Sequence, residues 1–268
     1  GHPQLARASL SAIESAPLAP YTGLVRAEIL LAEGSFSKAA DLLGGLTLKG
    51  DAADRARMLR GQALVEAGRY SEARPVLAGM LEGSRSAPGV LATPGGADPA
   101  EIRWWLAEGA VRRGAPEKAV PVYQTIWSRN PTSARASEAA KALRHAGHPV
   151  PDGSSAAGRE LIRERISALE KLHLYGKAWD ARQDLPPDGT HAGHRSAARS
   201  LFKAKDYPQA VVMYARIASP TTQDRFDHAL AMSRTGDYAA AAKLYEKVTA
   251  SSPTHKLGDT SSYKLGYL

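Results

Sequence analysis

In the stretch HRSAARSLFK, Arg195, Arg199 and Lys203 recur every four residues, the spacing that brings side chains onto one face of an α-helix. Three cations so arranged could meet an acidic ligand. Arg112 and Arg234 hold comparable places in other segments, and Trp104 and Phe226 could add stacking surfaces. Across the chain 35 Lys and Arg stand against 27 Asp and Glu, a net charge of +8. The basic residues are mixed with acidic ones and are neither clustered in runs nor interleaved with aromatics. That pattern fits solvated helix faces and argues against nucleic acid as a partner.

Other constellations carry less. His145 and His148 are three apart, as are His191 and His194, which could set two imidazoles on one helical face for a metal. Both pairs border Gly/Pro breaks and no carboxylate lies at ligand spacing, so they read as surface histidines and no metal is expected. The complete lack of Cys removes disulfides, thiolate metal sites and a Cys nucleophile. GGLTLKGD (44–51) and PGGAD, which ends at Asp98, follow no strand and match no phosphate loop, so no nucleotide cofactor is expected. There is no G-x-S-x-G elbow. Glu72, Glu117, Glu164, Glu170 and Glu246 sit at helix-surface spacing and read as solvated or ion-paired carboxylates, not as a general acid. Trp104, Trp105, Trp127 and Trp179 read as packing residues in preference to sugar platforms.

The elements that position these residues follow from composition and period. Over 268 residues, 43% hydrophobic and 23% charged content exclude a disordered chain. No apolar run of about 18 residues is present, so no transmembrane helix is expected. Aromatics are 6% and few segments are β-branched, which disfavours an all-β fold. A motif recurs instead. GSFSKAA begins at Gly34 and GRYSEAR at Gly68, 34 positions on; GAPEKAV, KDYPQAV and GDYAAAA begin at Gly114, Lys205 and Gly236. In each, an aromatic or Pro follows the turn residue by two and Ala by five. Four residues beyond that Ala stand Leu43, Leu77, Tyr123, Tyr214 and Tyr245; three further on stand Leu46, Met80, Ile126, Ile217 and Val248. That is one face of a helix. A glycine in the left-handed conformation closes the helix before each turn, and the small Ala lets the second helix approach the first. Pro131 and Pro253 are placed to stop the second helix of two repeats.

The pattern predicts helices at 3–15, 20–33, 36–46, 52–67, 71–82, 99–113, 116–128, 133–146, 156–174, 176–183, 191–204, 207–217, 222–235 and 238–250. A further first helix near the end would carry Tyr263 and Leu265 on its apolar side. SRSAPGVLATPGGADP (84–99) reads as a loop insertion, and GHPVPDGSSAAG (147–158) as a linker between repeats at 1–146 and 159–268. The pair RERISALEKLHLYGKAWDARQDLP reads as irregular.

These motifs resemble the tetratricopeptide repeat, whose small and large positions recur in this order. The resemblance implies an all-α fold, an α-α superhelix or helical-repeat solenoid. Its first helices would line a concave groove, bringing Trp104, Arg112, Arg195, Arg199, Lys203, Phe226 and Arg234 to one surface. The Asn/Lys pattern of chaperone-tail-binding repeats is missing from that groove. Residues 100–268, above all EIRWWLAEGAVRRGAPEKAVPVYQTIWSRNPTSARASEAAKAL, also resemble the N-terminal superhelical region of bacterial soluble lytic transglycosylases. That second resemblance implies a periplasmic parent acting on peptidoglycan through a separate domain, whose Glu-Ser opening followed by a Gly-Leu-Met-Gln stretch does not occur in this chain. The expected role is therefore a noncatalytic scaffold whose partner is a protein, a peptide or an anionic cell-wall polymer. The alternatives are a stand-alone adaptor in an envelope assembly, a cytoplasmic location, and an enzyme with a site in the 84–99 or 147–158 loops. The apolar ending at Leu265, Tyr267 and Leu268, and the Gly1–His2 opening, suggest a piece of a longer chain.

Overall fold

In a computed structural model, residues 18–83, 98–186, 190–251 and 256–267 are described. All regular structure among them is helical, and the helices alternate as the repeat requires. In the first unit, Gly1–Val150, they are α1 (Ala19–Ala32), α2 (Phe36–Gly44), α3 (Gly50–Glu66), α4 (Tyr70–Gly83), α5 (Pro99–Arg112), α6 (Val120–Arg129) and α7 (Ala134–His145). In the second, Pro151–Leu268, they are α8 (Ala156–Lys171), α9 (Tyr175–Arg182), α10 (His191–Lys203), α11 (Tyr207–Ala215), α12 (Thr222–Arg234), α13 (Tyr238–Ser251) and α14 (Lys256–Leu265). The helix expected at 3–15 and the stop at Pro253 lie outside the described residues, as does most of the 84–99 insertion. The described end of that insertion is helical in role: Asp98 caps α5, its side chain accepting from the Ala100 N–H at 2.8 Å, and Pro99 opens the helix. Ser155 likewise caps α8 through the Gly158 N–H.

One turn joins the two helices of every hairpin. Gly34, Gly68, Gly114 and Gly236 take φ of 74°, 75°, 78° and 88°. The amide after each reaches back to the carbonyl five residues before it, as Ser35 does to Leu30 and Arg69 to Leu64. Lys205, which departs from the glycine pattern, adopts the same conformation at φ 65°, and its following Asp206 amide donates to the Leu201 carbonyl. His173 does so too, at φ 58°, with the Leu174 amide on the Leu169 carbonyl.

That last turn corrects the sequence reading. The pair read as irregular is a repeat in register: HLYGKAW places an aromatic, Tyr175, two residues after His173 and a buried Ala178 five after it. The missing glycine hid it. The recurrent alanines Ala39, Ala73, Ala119, Ala178, Ala210 and Ala241 are all at most 2% exposed, so the second helix of each hairpin lies close on the first. Leu43, Leu77, Tyr123, Tyr214 and Tyr245 are buried four residues on. Gly61 shows how tight the seam is. A Cβ there would lie 2.3 Å from Leu77 Cδ2.

Within each unit consecutive helices pack on one another. First helices also meet the first helix of the next hairpin: α1 on α3, α3 on α5, α5 on α7, α10 on α12 and α12 on α14. The pair α8 and α10 shows no such close backbone approach; a side-chain bond from Ser200 Oγ to Glu170 links them. Leu265 packs against the core around Tyr245, but Tyr263 is 61% exposed and its ring lies tilted against Tyr267, contrary to the apolar side expected for it.

Candidate functional site

The sequence-derived residues separate into distinct environments. Phe226 is buried against Tyr245, ring centroids 5.7 Å apart, so it offers no stacking surface: its helix turns it into the core. Arg112 closes on Glu66 of α3 and reaches Glu108 at 4.0 Å, a clamp between neighbouring first helices. Trp104 is half-buried against Tyr123 at 5.4 Å, with the Arg135 guanidinium 4.8 Å over its ring. Arg234 is exposed at the end of α12. Trp105 and Trp127 are buried.

Arg195, Arg199 and Lys203 do come together. They line one cleft of about 350 Å³ on α10 with Glu170, Tyr175 and Ser200. Their four-residue spacing makes them neighbours, and each is held from behind. Arg195 Nε donates to Asp224 Oδ2 at 2.7 Å, and Arg199 Nη2 donates to Oδ1 at 3.1 Å. The Asp224 side chain is wholly buried, while the two arginines keep 27% and 46% of theirs exposed. Burial pushes the Asp224 carboxyl up. The Thr221 backbone N–H at 2.9 Å and the Arg195 bond outweigh that and hold it below its usual range. Asp224 therefore serves twice, completing a capping box with Thr221 and tying α10 to α12. Lys203 Nζ sits 4.9 Å above the Tyr175 ring, which orients the ammonium along the same face.

A larger cleft adjoins this one. Its volume is about 850 Å³, and Glu170, Ala192 and Ser196 border both. Ile166, Trp179 and Met213 supply apolar wall, and Arg159, Arg163, Arg182 and Arg216 supply charge against the single carboxylate of Glu170. Arg182 donates to Ser196 Oγ at 2.8 Å and lies 3.8 Å from Glu170. Arg163 pairs with Glu160 at 3.1 Å, and Arg159 donates to the Gly153 carbonyl at 3.0 Å. Of the second histidine pair, His194 stands in this wall with Nδ1 buried and without a hydrogen-bond partner, while His145 and His148 are exposed.

The register of the repeat explains the cleft. Four residues after the buried alanine, other hairpins place Leu or Tyr; after Ala178 that position is Arg182. Helix α9 then ends, after only 8 residues. A guanidinium at a core position and a short second helix leave the seam between the α8/α9 and α10/α11 hairpins unfilled. This was the signal that sequence reading missed, because it appears only once His173 is recognised as a turn.

Comparison with known proteins agrees with the repeat. Residues 24–89 match the family model of the tetratricopeptide repeat. The match spans most of α1 through α4. Among solved structures, a complex of the TPR2AB domain of yeast Sti1 with pHSP90 is similar at 15% identity, covering 93% of this chain and 96% of that one, with a TM-score of 0.35. No curated protein matches the chain. No helix among the described residues is long and apolar enough to cross a membrane.

Proposed function

We propose that this chain is a noncatalytic tetratricopeptide-like scaffold that holds an acidic segment of a partner protein on the α8/α10 face. The observation that carries the reading is the convergence of Arg195, Arg199 and Lys203 on one cleft whose only carboxylate lining is Glu170. Two of these cations are fixed in place by Asp224, so their exposed edges are pre-organised and little side-chain freedom is lost on binding. Extended or helical segments rich in Glu or Asp fit such a face because arginines receive carboxylates in a forked geometry.

The test uses a short labelled peptide rich in Glu and Asp, titrated against the whole chain by fluorescence anisotropy. Saturable binding that weakens with salt is expected, and Lys203→Glu lowers affinity about tenfold, the equivalent of about 1.4 kcal/mol. Binding indifferent to salt and to Lys203→Glu, or no binding, overturns the reading.

The likeness of residues 100–268 to the superhelical region of lytic transglycosylases supports a finer reading, in which the scaffold serves a peptidoglycan-cleaving domain in the bacterial periplasm. Sequencing the native gene beyond Leu268 tests it. A Glu-Ser motif in a following domain supports it, and a stop within one further repeat favours a stand-alone adaptor.

A further inference from the structure

We infer that the 850 Å³ cleft beside α9 is an anchor pocket, which receives one large apolar side chain of the acidic segment while the flanking carboxylates engage its arginines. The inference rests on the proposed reading of the α10 face and adds the partner's second requirement: acidity alone is not enough.

Three independent features converge on it. The space exists because of a register violation. Arg182 stands where Leu77, Tyr123, Tyr214 and Tyr245 fill the seams of other hairpins, and α8 and α10 approach one another less closely than the other neighbouring first helices within each unit. The wall is of mixed chemistry. Ile166, Trp179 and Met213 form an apolar side, and Trp179 is only half-buried, so a ring or branched side chain entering there would be covered on more than one side. The charged side is short of counter-charge, with four arginines and the one lining carboxylate of Glu170. Arg216 is exposed and makes no ion pair among the described residues, Glu170 is already engaged by Ser200 and Arg182, and His194 Nδ1 is buried without a partner. A ligand carrying carboxylates next to an apolar group satisfies all of these at once. Neither a purely acidic chain nor a purely apolar one does.

The cleft is also continuous with the cationic face, since Glu170, Ala192 and Ser196 border both. One segment therefore spans them, its acidic stretch over Lys203 and its anchor beside Trp179.

Two labelled peptides of equal charge decide the matter, one with a Trp amid Glu and Asp, the other with Ala in its place. The intact chain is expected to bind the Trp peptide about tenfold or more tightly than the Ala peptide, the gain of burying a large apolar side chain. Ser167→Trp, at an exposed position of the cleft wall, fills the pocket and is expected to erase that difference. Lys203→Glu weakens both peptides and preserves their ratio. If Ser167→Trp fails to fold by circular dichroism, Trp179→Ala, which removes part of the apolar wall, serves instead and is expected to reduce the ratio. Equal binding of the two peptides by the intact chain, with both weakened by Lys203→Glu, overturns the pocket and spares the cationic face. A preference for Trp that survives Ser167→Trp, or survives Trp179→Ala in its place, also overturns the pocket. No binding of either peptide overturns both.

Discussion

Arg182 holds in its hairpin the register that Tyr214 holds in the next, four residues after a fully buried alanine. Tyr214 is 3% exposed and closes its seam; Arg182 turns to Ser196 and leaves its seam open. A core position has been given to a cation, and the cleft is the result.

Arg182→Leu restores the apolar side chain of the other repeats. It is expected to raise stability by about 1 kcal/mol, less than full burial of a leucine because the Ser196 bond is lost. Urea denaturation checks this, and a marked loss of stability would show that the arginine is needed for the fold.

Lys205 takes a left-handed turn conformation that costs a side-chain-bearing residue roughly 1–2 kcal/mol, partly offset by the larger freedom of glycine in the unfolded chain. Lys205→Gly should therefore stabilise the protein, by up to about 1 kcal/mol. Gly68→Ala, at φ 75°, should destabilise it by a similar amount. Thermal melts of the two variants moving in the same direction would contradict the shared turn.

Asp224→Asn leaves the size of the side chain and removes the charge that faces Arg195 and Arg199 and supports the α12 cap. A loss of about 2 kcal/mol is expected. Because the folded carboxyl is held below its usual range, its contribution is present above the ordinary carboxylate pKa and fades as pH falls through the folded value. The variant's stability should thus change less than that of the native protein on acidification.

His228 stacks on Tyr214 at 5.7 Å with Nε2 buried and unpartnered, and burial lowers its pKa from the ordinary 6.5. The unfolded chain takes up this proton first as pH falls. Stability associated with the neutral ring is complete above pH 6.5 and is lost progressively below it, towards the folded value. His228→Phe should remove that slope from denaturation midpoints measured between neutral and mildly acidic pH.

Sequence alone carried the alternation of helices, because turn, aromatic and alanine recur together and each has a local physical reason. It also carried the grouping of Arg195, Arg199 and Lys203, which needs only helical spacing. Phe226 was misassigned because its direction depends on what α12 packs against, Tyr245 on α13, and not on its own helix. The hairpin turning at His173 was hidden by a non-glycine turn, and the cleft with it, since a void is set by what neighbouring hairpins fail to fill. Arg112 reads as an available cation in sequence, but Glu66 lies 46 residues away and engages it only in the fold.

The most direct test maps the bound segment by amide hydrogen exchange, with and without a saturating acidic peptide containing a single Trp. The account predicts added protection concentrated in α8, α9 and α10, with the rest of the described helices little changed. Protection centred on α1 through α7, or none at concentrations where anisotropy reports binding, would contradict it.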